Sequence, residues 1–175
     1  MKPVTTPMDT NAQYSIEQCP TTPNQLARMT GVLFSKVIGS VLWPAVVSRL
    51  DIVFGVGVLS QFVQNPGPIH WEALKRVIVY LNTTKGLWLI FGGNSEVLVE
   101  GYCDADWASQ KHRHSISGYT FYLGQGVILW SLKNQHIIAL SSTEAEYIAE
   151  THVTKEALWL QGFIDEVRGP RDVPI

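Results

Sequence analysis

With 175 residues, 46% hydrophobic side chains and a formal net charge of −2, the chain has material for one domain or two small ones, and the composition of a soluble globular protein. That balance excludes a disordered polymer and gives no global reason to expect nucleic acid, so such a partner would have to be held by local patches. The two cysteines, Cys19 and Cys103, follow no metal-ligand spacing and fit free thiols in a reducing compartment.

The chain opens on Met1-Lys2-Pro3 and a polar Thr/Pro run with no apolar core, so no secretory signal is read there. Residues 1 to about 25 carry Pro3, Pro7, Pro20 and Pro23 among Thr, Asn and Gln, the composition of a linker or extended arm with little order. From Leu33 to Gln64, apolar residues recur at threes and fours, and Pro44 forces a break or kink, which predicts two helices. The longest apolar stretch, Val41 to Leu59, holds Pro44, Arg49 and Asp51, and each charge is costly in a bilayer, so a membrane span is not expected. Asn65-Pro66-Gly67-Pro68 is a turn, after which Trp71, Leu74, Ile78 and Leu81 define one face of an amphipathic helix that ends over Asn82 to Gly86.

Leu87 to Phe91, Gly92-Gly93-Asn94-Ser95 and Val97 to Asp106 read as strand, turn, strand. Alternation puts Val99, Gly101, Cys103 and Ala105 on one face of the second strand, and Glu100, Tyr102, Asp104 and Asp106 on the other. Ser117 to Leu123 and Val127 to Leu132, joined by Gly124-Gln125-Gly126, form an antiparallel hairpin, which makes three consecutive antiparallel strands. From Thr143 the clearest helix of the chain runs to Gly169-Pro170, with Ala149, Val153, Ala157, Leu160, Ile164 and Val167 along one stripe and Glu146 beside it.

An acid late in a central strand and a glutamate in the first turn of a following helix can place two carboxylates together, the donor type that hard divalent cations take. Two such cations can activate a water and stabilise the leaving oxygen in phosphodiester hydrolysis. By this reading Asp104 and Glu146 face each other. The structural alternatives are concrete. Thr143-Glu144-Ala145-Glu146 is also a capping-box pattern in which Glu146 would only return a hydrogen bond to the Thr143 amide, and Asp104 could be a strand-end acid turned to solvent. Asp106 reads as a turn residue. Lys111-His112-Arg113-His114 is either a solvated loop or a cationic contact for phosphates. His112 and His114 with Cys103 lack a fourth ligand for zinc, and Gly55-Val56-Gly57 has no preceding strand and reads as helix packing. Trp71, Trp130 and Trp159 read as core anchors.

Five ordered blocks carry a resemblance: Tyr102-Cys103-Asp104-Ala105-Asp106-Trp107-Ala108, Ser115-Ile116-Ser117-Gly118-Tyr119, Ile128-Leu129-Trp130-Ser131, Leu140-Ser141-Ser142-Thr143-Glu144-Ala145-Glu146-Tyr147 and Lys155-Glu156-Ala157-Leu158-Trp159-Leu160. They resemble the ribonuclease H domain of copia-type retrotransposon polyproteins. Upstream, Val37-Ile38-Gly39-Ser40, Asp51-Ile52 and the Asn65 to Leu81 stretch resemble the connection between reverse transcriptase and that domain. The resemblance implies an α/β fold of the α+β kind: an incomplete ribonuclease H-like mixed sheet, with three antiparallel strands followed by a helix. It implies a linker or arm over 1–29, a helical connection over 30–86 and the nuclease-like domain over 87–175.

The activity this resemblance implies is that of an endonuclease that cuts the RNA strand of an RNA/DNA hybrid with two Mg²⁺ (or Mn²⁺) ions held by four carboxylates. Asp104 matches the first acid and Glu146 the second, as catalytic residues and metal ligands, while the third and fourth have no counterpart in this chain. Lys111, Arg113 and Ser142 are the candidate nucleic-acid contacts. The partners implied are the hybrid and other retrotransposon proteins, in the cytoplasm or nucleus and in virus-like particles, and no membrane. The aspartate pair of a polymerase site is absent from the sequence, which excludes reverse transcription by this chain alone. Leu50 stands where the family usually has proline, and Trp43-Pro44 interrupts a helical run, departures that imply decay or a misread gene. The expectation is a fragment with little or no nuclease activity; the alternative is a non-catalytic nucleic-acid-binding or interaction module.

Overall fold

The chain divides into two units, Met1–Trp88 and Leu89–Ile175. A computed structural model describes residues 3–9, 11–92, 99–108 and 113–169. The first unit is helical: α1 (Pro23–Met29), α2 (Phe34–Val47), α3 (Val53–Ser60) and α4 (Pro68–Thr83). The segment expected to be an unstructured arm contains local structure. The Ile16–Gln18 turn is 3₁₀, and α1 starts where the Thr22 hydroxyl accepts from the Gln25 amide while Pro23 supplies a helical φ at the first position. Part of the expected arm thus carries a helix start, because capping needs only Thr, Pro and Gln at fixed offsets.

The helix break also moves. α2 runs through Pro44 to Val47, and the chain turns at Ser48 and Arg49, whose amides both bond the Pro44 carbonyl. Burial of Val41 and Ala45 on either side of Pro44 offsets the hydrogen bond that proline cannot donate. The core of this unit joins Phe34, Ile38, Val41 and Ala45 of α2, Ile52, Val56 and Leu59, and Ala73, Leu74, Val77 and Tyr80 of α4. Each large side chain there contributes about 2 kcal/mol of apolar burial. On α4 the buried face is His70, Ala73, Leu74, Val77 and Tyr80, rotated from the expected stripe, so that Ile78 is exposed. The rotation follows His70: its Nδ1 accepts from the Gly67 amide at 2.9 Å and its ring stacks on Phe62, centroids 4.0 Å apart. Gly67 itself lies against the Gln18 carbonyl, where a side chain would collide.

A polar staple closes this unit. Arg49 forks onto Asp51 at 2.8 and 3.0 Å and donates to the Thr84 hydroxyl at 2.6 Å, while the Tyr80 hydroxyl donates to Asp51 at 2.7 Å. Burial pushes the Asp51 carboxyl up, but the hydrogen bonds from Arg49 and Tyr80 outweigh it and hold its pKa below the ordinary value. Leu50 sits in a 3₁₀ turn and Pro44 inside α2, so both departures from the family pattern are accommodated within regular structure. Gly55 packs against Met8, and Gly55 and Val56 are buried in α3, the helix-packing role read from the sequence.

In the second unit β1 (Val99–Asp106), β2 (Ile116–Leu123) and β3 (Gly126–Asn134) form an antiparallel sheet in the order β1-β2-β3, followed by α5 (Ser142–Arg168). The register pairs Ala105 with Ser117, Gly101 with Phe121 and Ser117 with Lys133. Gly124, at φ +62°, supplies the left-handed turn of the hairpin. The expected strand over Leu87–Phe91 is not formed: among the described residues the backbone here makes a single bridge, Gly92 to Gly124, and Trp88 and Ile90 are 84% and 76% exposed. The rest of that expected turn, from residue 93, lies outside the described residues.

α5 packs on the face of the sheet that carries Val99, Gly101 and Phe121, through Val153, Ala157, Leu160 and Ile164. Gly101 is needed there, since a Cβ would meet the Phe121 ring at 2.6 Å. Trp159 is not a core anchor: it is 60% exposed and stacks on Phe163. Among the described residues no single helix is long and apolar enough to cross a membrane; α1 and α2 pass that test only together, across a 51° bend.

Candidate functional site

Asp104 and Glu146 lie at the end of β1 and in the first turns of α5, which meet at one corner of the second unit. Gln135 holds that corner. Its amide donates to the Ser115 carbonyl at 2.8 Å and its carbonyl lies 2.8 Å from His114 Nδ1. Its side-chain Nε2 donates to Ser117 Oγ and to the Ala145 carbonyl, each at 2.8 Å. Ser117 is the cross-strand partner of Ala105, so one buried side chain links the last residues of β1 to the first turn of α5. Two further bonds tie the same corner: Trp107 Nε1 to the Ala139 carbonyl, and the Ala108 amide to Ser115 Oγ.

Asp104 and Glu146 each flank this linked pair by one residue, and both are exposed. They share a corner and not a face. Strand alternation sets Asp104 with Glu100, Tyr102 and Asp106, opposite the Val99, Gly101 and Phe121 face that α5 covers. Cys103, which shares the alternation of Val99 and Gly101, is exposed, and its thiol pKa is raised first by partial burial, then by the charge of Glu150 on α5, then by that of Asp104.

Glu146 is not the capping residue of α5. The N-cap is Ser141, whose hydroxyl accepts from the Glu144 amide at 3.1 Å, and Glu144 Oε2 in turn accepts from the Leu140 amide at 2.7 Å. The cap sits two residues earlier than the sequence pattern placed it, because Ser141-Ser142-Thr143-Glu144 meets the same spacing. That leaves the Glu146 carboxylate free of any capping duty.

Arg113 is exposed, in a left-handed conformation at φ 60°, and Ser142 is the exposed first residue of α5. Lys111 and His112 lie outside the described residues. Among the described residues no group of three or more His, Cys, Asp or Glu side chains is placed to hold a metal ion. Asp104 and Glu146 as arranged therefore do not fit a two-metal centre, which needs a fuller donor set. Gln135 is the residue that sequence reasoning missed. Lys133-Asn134-Gln135-His136 reads as a polar exit from a strand, and only packing shows that its third member is 3% exposed.

No family model matches the chain. No solved structure matches it. Among curated proteins, it is 44% identical over 167 residues to the Retrovirus-related Pol polyprotein from transposon TNT 1-94 of Nicotiana tabacum, across 95% of this chain and 12% of that protein. It is 45% identical over 133 residues to Secreted RxLR effector protein 161 of Plasmopara viticola, across 75% of this chain and 94% of that protein. The Retrovirus-related Pol polyprotein from transposon RE2 of Arabidopsis thaliana is 33% identical over 167 residues, 95% of this chain and 11% of its own length. The chain thus spans about an eighth of the polyproteins it matches.

Proposed function

We propose that the chain is a fragment of a copia-type retrotransposon Pol polyprotein and that its second unit is a ribonuclease H-like module that presents two carboxylates of a hybrid-cutting site without completing it. Asp104 and Glu146 are the two ligands in this reading. The observation that carries it is the Gln135 junction, which draws the end of β1 and the first turn of α5 to one corner while Ser141 and Glu144 take over the capping that would otherwise occupy Glu146. A bound Mg²⁺ or Mn²⁺ would supply water activation and charge neutralisation there. The described donors are too few to hold the pair, so no step is assigned to this chain alone.

The test is direct. Purified chain incubated with a labelled RNA/DNA hybrid and Mg²⁺ or Mn²⁺ leaves the RNA strand intact. Robust cutting that Asp104→Asn abolishes would overturn the reading.

A second reading, binding without cutting, is favoured by the exposed Arg113 at the same corner. It predicts hybrid binding that weakens with salt and is lost when Lys111 and Arg113 become alanine. Absence of binding at low salt removes it.

A further inference from the structure

Against α5, the β2–β3 side of the sheet encloses a cavity of ≈ 50 Å³ whose wall includes Lys133, Asn134, Gln135, His136, His152 and Glu156. A cavity needs only about 10–15 Å³ by this measure to hold a water, so the space admits a small ion. Its wall sets three nitrogen-bearing side chains, Lys133, His136 and His152, against one carboxylate, Glu156. Its deepest polar member is Gln135, 3% exposed, with both Nε2 bonds committed to Ser117 and Ala145. The Ala145 carbonyl can only accept, which fixes the orientation of the amide and leaves Oε1 as the second polar atom of a side chain that lines the cavity. That Oε1 is buried without a partner. A buried acceptor is costly until something donates to it.

A ligand that satisfies this wall must accept from Lys133 and the histidines and at the same time donate to Gln135. We propose that the cavity binds a protonated tetrahedral oxyanion, hydrogen phosphate or the singly protonated phosphate at a nucleic-acid terminus. Its bare oxygens take the Lys133, His136 and His152 donors, and its P–OH donates to Gln135 Oε1. Sulfate has the same shape and no proton to give, so the Gln135 oxygen rejects it, a desolvated acceptor facing an acceptor. Glu156 disfavours any anion there, and the proton moderates that repulsion. This site uses neither Asp104 nor Glu146 and stands independently of metal binding.

The experiment is a calorimetric titration of the full chain with sodium phosphate near pH 6, where terminal phosphates hold a proton about half the time, against sodium sulfate at matched ionic strength. Phosphate binds at one saturable site and sulfate at least about tenfold more weakly; Lys133→Ala and His152→Ala, both exposed wall positions, each weaken phosphate by about tenfold, and Glu156→Gln tightens it. Competition by a 5′-phosphorylated oligonucleotide that its 5′-hydroxyl twin does not show assigns the anion to a nucleic-acid end, and equal inertness of the two assigns it to free phosphate. No saturable phosphate binding, sulfate binding as tight as phosphate, or affinity unchanged in both wall variants would overturn the proposal.

Discussion

The helical unit and the sheet unit use their apolar side chains differently. In the first, eleven buried residues from α2, α3, α4 and the turn before α3 form one core, closed by the Arg49, Asp51 and Tyr80 staple. In the second, four buried residues, Val99, Phe121, Leu160 and Ile164, anchor the cluster, while Leu140, Leu158, Trp159 and Phe163 remain exposed. Exposure is not confined to the second unit, since Trp43 and Val46 of α2 are also at the surface. The difference lies in how much core backs each surface. The helical unit derives its stability from a wide apolar interior, whereas the sheet unit packs one helix on one sheet face and ties β2 to the first turn of α5 through one buried amide.

The sharpest way to break this comparison is to hollow out each core in turn. Leu74 is fully buried, and Leu74→Ala should cost about 2–5 kcal/mol. Phe121→Ala should cost about 3–5 kcal/mol, removing the ring that fills the space over Gly101. In thermal unfolding followed by circular dichroism, each substitution should lower a different transition. A single transition that falls equally in both variants would show that the units unfold as one.

A smaller effect separates the units by pH. His70 is buried, and desolvation lowers its pKa below the ordinary value, so the unfolded chain takes up the proton first. Stability is therefore complete above the unfolded pKa of about 6.5 and falls as pH drops below it, by at most ~1.4 kcal/mol per pH unit, until the folded-state pKa is reached. Urea midpoints at pH 7 and pH 5 should show this loss in the helical unit, and His70→Gln should flatten it. The smallest effect sharpens the site. Ser141→Ala removes the α5 cap and should cost ~1 kcal/mol, while Glu146→Ala should leave the urea midpoint within ~0.5 kcal/mol of wild type. A large loss from Glu146→Ala would return that residue to a structural role.

Much of the fold was legible because its signals are local. The hairpin at Gly124, the turn at Asn65 to Pro68 and the stripe of α5 each follow from residue types at fixed spacing. The errors arose where two local patterns competed or where a neighbour decided. Ser141 and Thr143 both offer a cap followed by glutamate three residues on, and the sequence does not rank them. Leu87 to Phe91 is an apolar run of strand length, but strand formation needs a partner edge, and among the described residues of this stretch only Gly92 finds one. Trp159 lies one residue off Leu160 of the apolar stripe, about 100° around the helix, and stays exposed.

By itself the sequence determined the class of fold, the three antiparallel strands, the long closing helix and the membership of Asp104 and Glu146 in an acidic pattern. Tertiary structure decided which face of the sheet α5 covers, which serine caps α5, and that Gln135 is a buried link with an unmatched oxygen. The reason is physical. Periodicity and capping are interactions between residues a few positions apart, whereas the burial of a polar group is fixed by elements that are distant in the chain and adjacent only once it has folded.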